Sequence, residues 1–557
     1  MTNYKQYVWI VGMVLGWSQL CAATHQVGPT RTYVSPNALY EANVLVQGDT
    51  VEIDAGTYSG TAALAVWHPD SLVIRGVGGR PHLDAASQNI WGKGIWVCNG
   101  NDITVENIEF SGATVPDENG AGIRLDKSGL IVRHCYFHDN ENGILTSNPG
   151  DGDILIEYSE FARNGFGDGF THNLYIGKVH SLTFRFNYSH HAIIGHNLKS
   201  RATTNVIYCN RIMDENTGTS SRLIDLSNGG LAIVMGNLLM QGPNAPNKNL
   251  VGYGLEGLSN PAPHELHFIN NTCVNKRVAS CTFVHIQSGT TVANISNSIF
   301  AGSGALLDGT STTMANNLVE TTIANVRFVN EALYDYHLQS SAPAIDMGTL
   351  QADVHGNSLT PDASYQHLAM EEPRMIVNSI IDVGAYEEGV VLPIELVSFH
   401  GYLDDDQVVL QWQTALEHNN EGFRILRSID GQDFHDIGWL EGQGDDATVT
   451  DYTFIDAALP KKTYYYQLVQ VDFDGSFWRS HVVSIHRADV QDEVYPNPAS
   501  DDLFFSDPHQ GRVQILSLNG KVLISGEASE GHLNLQKLPQ GAYLVNHNGK
   551  IARIMKR

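Results

Sequence analysis

Four segments repeat one frame and place ionisable residues in the same positions: HNLYIGK (172–178), HNLKSRA (196–202), SRLIDLSNGG (221–230) and NLVGYGLEG (249–257). Overlaid with the neighbouring repeats, they give a column of Arg124, Leu145, Tyr175, Lys199, Asp225, Gly252 and His285. A second column, two residues on, runs Asp126, Ser147, Gly177, Arg201, Ser227, Gly254 and Gln287. If the segments are strands, side chains two apart share a face. Parallel neighbours lie about 4.8 Å apart, so Tyr175, Lys199 and Asp225 fall within one saccharide length, and Arg201 points the same way as Lys199. His172, His196, Asn228, Tyr253 and Glu256 sit at the adjoining corners, and Arg222 precedes Asp225 by three residues. Removal of a proton next to a carboxylate needs a base, a cation for the enolate and an acid for the leaving oxygen. Lys199 or His196 is the candidate base, since close cations favour a neutral lysine. Arg201 suits the carboxylate and the enolate, because its fork binds both oxygens. Tyr175 or His172 is the candidate proton donor. Arg124, Asp225, Asn228, Arg222, Tyr253, Glu256 and His285 are candidates for substrate contact. Two further readings stand beside this one. Asp225 and Glu256 form the carboxylate pair a glycoside hydrolase uses, and the same charges also make an ordinary salt-bridged ladder. His190 and His191 follow a different strand.

The elements that carry these residues are short strands. Between the site segments run LTFRFNYSH (182–190), VIYCNRIMD (206–214), IVMGNLLMQ (233–241) and LHFINNTCV (266–274), with ITVENIEF (103–110), LIVRHCYF (130–137) and ILIEYSEF (154–161) upstream and VANISNSIF (292–300) downstream. β-Branched and polar residues alternate, which is a strand pattern. A strand repeat of roughly 22–33 residues indicates a solenoid whose units bury one face against their neighbours. Asn107, Asn187, Asn210, Asn237, Asn271 and Asn297 align in one column, interrupted by His134 and Tyr158. Stacked amides at a corner can satisfy one another from rung to rung. The expected fold is all-β: a right-handed parallel β-helix followed by two small β-sandwich domains.

The chain has 557 residues, enough for two or three domains. Apolar residues at 42%, 53 glycines and 17% charged residues fit a turn-rich β protein rather than a disordered chain. A formal charge of −27 argues against nucleic acid or an anionic membrane as partner. It leaves room for an anionic polysaccharide in a locally basic cleft. Lys5, the apolar run YVWIVGMVLGW (7–17) and SQLCAATHQ read as a signal peptide over 1–23, cleaved after Ala23, with lipidation at Cys21 the alternative that bulky Leu20 disfavours. No later stretch is apolar for the roughly 18 residues a membrane span needs. Cys98, Cys135, Cys209, Cys273 and Cys281 lack metal-ligand spacing and read as buried small residues, with a Cys273–Cys281 disulfide left open.

Along the chain, DTVEIDAGTYSG (49–60) and LVIRGVGGRPHLDA (72–85) resemble the first rungs of pectate-lyase-like β-helices, giving a β-helix over 24–390. Residues 321–388, ending in DVGAYE (382–387), resemble the closing segment of secreted β-helix proteins, which implies a cover over the last open edge. Residues 391–488 carry some seven alternating strands, Trp412 and the run Tyr464–Tyr466, and resemble a fibronectin type III-like module. Residues 489–557, with VYPNPASDDLFF (494–505), VQILSLNGKVL (513–523) and LPQGAYLV (538–545), resemble the C-terminal sorting domain of the type IX secretion system. That resemblance implies the type IX machinery as partner, export through the periplasm, and release or retention at the outer cell surface.

The motifs HNxY, GHxLKSRA, IDLxNGG and YGxEG resemble those of secreted bacterial β-helix proteins, a likeness of architecture more than of reaction. One class of β-helix lyases combines a lysine base, an arginine on the next rung and calcium-bound carboxylates upstream; Lys199 and Arg222 match that spacing. The upstream segment SHHAIIGHN (189–197) has no acidic residue, so calcium and any other cofactor stay open. The leading expectation is a polysaccharide lyase acting on an acidic glycan. The alternatives are an Asp225/Glu256 hydrolase and a non-catalytic glycan-binding or adhesive surface protein, while an epimerase would share the same base and cation.

Overall fold

The computed structural model describes residues 22–376, 379–388 and, with short interruptions, 396–556. The leader expected over 1–23 lies outside the described residues except for its last two. The chain divides into two compact units, Met1–Val390 and Val391–Arg557.

The first unit is a parallel β-solenoid of about 11 turns. Among the described residues it is built on three sheets. The first has 12 strands, from Thr24–Val27 to Thr313–Ala315. The second has 10, from Ala65–Trp67 to Ala305–Asp308, and the third 11, from Thr57–Ser59 to Leu318–Glu320. Each turn therefore has three strands where the sequence pattern suggested two: LTFRFNYSH divides into Ser181–Arg185 and Tyr188–His190. Inward residues alternate along every strand and stack from rung to rung, as Phe110, Phe137 and Phe161 do at ring separations of 4.8 and 4.9 Å. The helix Pro36–Ala42, capped by Ser35, inserts Leu39 into the same core.

The break between the first and third sheets is the asparagine corner. Asn187, Asn210, Asn237 and Asn271 form the ladder, each side-chain amide donating to the next at 2.9–3.1 Å. Ser159 and Ser298 continue it with their hydroxyls. Asn107 and Asn297, expected in that column, sit one residue earlier beside His134, Tyr158, Phe186 and Cys209, at backbone φ of 49–56°. That position demands a left-handed residue, a conformation asparagine tolerates best after glycine. A second ladder, Asn140–Asn164–Asn173–Asn197–Ser220, runs along the corner between the third and second sheets.

The closing segment differs from its expectation. Instead of covering only the last edge, the segment packs on outer sheet faces: Val326, Tyr336, Tyr365 and Tyr386 lie on Met213, Leu238, Met240 and Val274 of the third sheet, and Leu359 lies on Ile233 and Ile269 of the first. The pairing that locks it is Arg374–Glu387, both buried, at 2.7 Å. The five described cysteines are buried free thiols, Cys273 and Cys281 among them. In the second unit a 3-stranded and a 5-stranded antiparallel sheet share one core, in which Trp412 stacks on Tyr452 at 5.4 Å and Tyr464 and Tyr466 are buried. Two smaller antiparallel sheets follow over 494–556. No helix of the described residues is long and apolar enough to cross a membrane.

Candidate functional site

The second sheet brings Tyr175, Lys199 and Asp225 side by side. Register runs Leu145–Tyr175–Lys199–Asp225–Gly252–His285, with Arg124 opposite Leu145. Inward neighbours Leu174, Ile176, Leu198, Ile224 and Leu226 are buried, so alternation turns the column outward.

Charge concentrates on three of these rungs. The Lys199 ammonium lies 2.5 Å from Glu256 Oε1 and 3.7 Å from Asp225 Oδ2. Arg201 Nη2 holds the other Glu256 oxygen at 2.5 Å. Both cations flank the Tyr175 ring, 5.6 and 5.5 Å from its centroid, within cation–π range. Asp225, 1% exposed, accepts from Arg222 Nη1 at 3.0 Å and from Ser227 Oγ at 2.7 Å. Glu256 is 38% exposed and rides on a turn closed by Gly257 N–H to Gly254 O, with Gly254 at φ +71°. Gly252 is crowded for a different reason: a Cβ there would lie 2.8 Å from Leu255 Cδ1 and 3.1 Å from Asp225 Oδ1, so these side chains would have to shift. Arg201 Nε and Arg222 Nε are shielded from solvent and have no hydrogen-bond partner among the described residues. Such donors are costly unless something accepts from them.

The two histidines form a ladder of their own at the corner. The His172 amide donates to Asn142 Oδ1, the His196 amide to His172 Nδ1 and the Arg222 amide to His196 Nδ1, at 2.9–3.1 Å. The rings stack at 4.8 Å and 8°. Each Nδ1 lone pair is thus committed to backbone, and the neutral ring carries its proton on Nε2. Burial, reinforced by His196 and Lys199, holds His172 well below the ordinary histidine value. Burial, then Arg222 and Lys199, does the same to His196. His196 Nε2 faces Asp225 Oδ2 at 3.8 Å. His172 and His196 are thus rungs of a corner ladder, and neither has a free Nδ1 lone pair to offer as a base.

Four other candidates make contacts outside the Lys199 cluster. Tyr253 is fully buried because it alternates inward from Gly252, and its hydroxyl donates to Gly230 O at 2.5 Å. Asn228, 5% exposed, ties its corner to Ser259 at 2.7 Å. Arg124 is paired with Asp126 three strands from Lys199, about 14 Å away. His285, three strands off on the other side, hydrogen-bonds Asn249 at 3.0 Å and faces Asp308 at 3.7 Å. Asp225 and Glu256, expected on separate rungs, are brought together on Lys199. Because cations already hold both carboxylates, this face offers no cage for calcium. Sequence reasoning missed Asn142 and the Asn173–Asn197 rungs. The His-Asn pairs at 172–173 and 196–197 were the signal for the Asn173–Asn197 rungs.

Residues 493–557 match the family model described as "Secretion system C-terminal sorting domain". Among solved structures, the crystal structure of pectate lyase Pel9A aligns at TM-score 0.39 and 13% identity, covering 66% of this chain and 96% of that one. Dimeric latent PorU from Porphyromonas gingivalis aligns at TM-score 0.14 and 15% identity, over 29% of this chain and 20% of its own. No curated protein matches the sequence. The last strands of the chain are thus a sorting domain of the type IX secretion system, and the protein is exported for secretion or attachment at the cell surface.

Proposed function

We propose that the solenoid is a polysaccharide lyase that cleaves an acidic glycan by β-elimination on the Lys199–Arg201 face. The observation that supports this reading is Glu256, whose two carboxylate oxygens are held separately by Lys199 and Arg201. A uronate presents the same two oxygens and can exchange for it. Arg201 then binds the sugar carboxylate through Nη2 and the unpartnered Nε, a bidentate fork. Lys199, released from Glu256 and acting as the free amine, takes the C5 proton. The C–H electron pair becomes the C4–C5 double bond, and O4 departs with the C4–O4 pair. Arg201 stabilises the charge that develops on the carboxylate. Tyr175, whose ring lies against both cations, supplies the proton to O4 and recovers it from the Lys199 ammonium. Asp225 and Arg222 position Lys199, and the column from Arg124 to His285, roughly 29 Å long, gives a chain of sugars room to lie. The fibronectin type III-like reading of 391–488 makes that segment a spacer or accessory binding module.

One observation favours a second, non-catalytic reading as a glycan-binding or adhesive surface: every carboxylate of the cluster is paired internally. The secreted chain mixed with a panel of acidic polysaccharides separates the two. Ultraviolet absorbance of the conjugated unsaturated uronate is expected to rise, and to fall by about 10²–10⁴-fold in Lys199→Ala and strongly in Arg201→Ala. New reducing ends without that absorbance would shift the assignment to an Asp225/Glu256 hydrolase, and inverted sugars without cleavage to an epimerase. Binding with no product at all would leave the adhesive reading.

A further inference from the structure

We propose that His82, Glu109 and His138 form a binding site for a divalent transition metal of the zinc type, on a sheet separate from the Lys199 face. They lie on three successive rungs of the third sheet, His82–Asp84, Glu109–Ser111 and Tyr136–His138. Register places His82 beside Glu109, and Ser111 beside His138. The three side chains converge diagonally across these columns. His138 Nε2 lies 3.1 Å from Glu109 Oε1, His82 Nε2 lies 3.7 Å from the same oxygen, and the three donor atoms are all within 4.8 Å of one another. Each residue is partly exposed, so an ion can enter.

The partners of His138 say what belongs between these atoms. Its Nδ1 lies 2.7 Å from Asp139 Oδ2, and Arg163 holds Asp139 through Nε at 3.0 Å and Nη2 at 2.8 Å. A carboxylate fixed in this way accepts the Nδ1 proton, which turns the Nε2 lone pair toward Glu109. Two acceptors 3.1 Å apart repel unless a proton or a cation lies between them. A carboxylate behind a histidine is also the usual support of a metal-ligating imidazole. Two imidazole nitrogens and one carboxylate suit zinc, cobalt or nickel, and not calcium or magnesium, which take all-oxygen shells. Zinc ligated at about 2.0–2.2 Å has room for a fourth ligand. Ser111 Oγ, 2.7 Å from His82 Nε2, is the adjacent candidate. The charge of Arg80 also reaches Glu109 and weakens the site without blocking it. The bound ion joins three rungs that are distant in sequence, and so raises the stability of the N-terminal half of the solenoid by mass action.

The test uses the full secreted chain without a histidine tag, stripped with a chelator and titrated with zinc chloride. One equivalent is expected to bind and to raise the melting temperature. Cobalt in its place is expected to give the visible absorption of a low-coordinate site. His82→Ala/His138→Ala loses both effects while keeping its circular dichroism spectrum, and Asp139→Asn weakens zinc about ten- to hundredfold. If the double variant misfolds, Glu109→Gln, which keeps the side-chain shape, must lose most of the affinity. Absence of zinc binding by the wild type, binding unchanged in these variants, or displacement of zinc by excess calcium would each overturn the proposal.

Discussion

At the scale of single residues, the same residue type does different work according to which lone pair is left. Stacked His172 and His196 are neutral in the folded chain because burial opposes their charge, while in the unfolded chain they protonate near the ordinary histidine value of about 6.5. Below that pH the unfolded state binds more protons, so their contribution to stability is complete above it and is lost as pH falls. The loss is up to about 1.4 kcal/mol per pH unit for each ring. Urea midpoints measured between about pH 5 and 8 are expected to fall more steeply for the wild type than for His172→Asn/His196→Asn. Tyr253 gives the complementary case. Tyr253→Phe removes only the buried bond to Gly230 O and is expected to cost about 1 kcal/mol of stability, with turnover on any substrate unchanged. A fall in kcat at unchanged folding would return Tyr253 to the site.

At the scale of elements, corners rather than strands set the site. The asparagine ladders fix where each short strand starts, and so which residues face outward. Asn210 accepts from both the backbone and the side-chain N–H of Asn187, and donates to Phe184 O and Asn237 Oδ1. Asn210→Ala leaves these buried groups unpaired and is expected to lower solenoid stability by about 1–3 kcal/mol, read as an earlier urea transition. Gly252→Ala acts within the site sheet. Its methyl group enters the space of Leu255 and Asp225, so product formation is expected to drop tenfold or more through displaced Asp225 and Arg222, with glycan affinity less affected. Equal activity in Gly252→Ala would show that the Asp225–Arg222 pair does not position Lys199.

At the scale of the whole molecule, the closing segment makes one buried charge pair responsible for covering an apolar sheet face. Arg374 and Glu387 are withdrawn from solvent, and Arg374 also donates to Gly384 O and Asp382 O. Breaking such a pair leaves an uncompensated charge, so Glu387→Ala is expected to destabilise the first unit by about 3–5 kcal/mol. Limited proteolysis within 321–388 is the measurement, and cleavage no faster than in the wild type would contradict it. The sorting domain acts on the molecule as a whole too: a chain ending before Val494 is expected to stay inside the cell envelope, and cell fractionation reads this directly.

Much of this protein was legible in its residues. The parallel register of Arg124 to His285 follows from the repeat frame, because side-chain alternation and strand spacing are local properties that recur on every rung. The export signal was legible for the same reason: the YPNP, LNGK and PxGxYL stretches lie in one contiguous segment. Tertiary structure alone decided what depends on three-dimensional contact. It committed the histidine lone pairs to neighbouring amides, put Glu256 on Lys199 and Arg201 across more than fifty residues of sequence, and divided each apparent long strand at a left-handed corner. It also turned Tyr253 inward and laid the closing segment along a sheet face. Direction and distance between rungs belong to the folded solenoid, and a column of letters does not contain them.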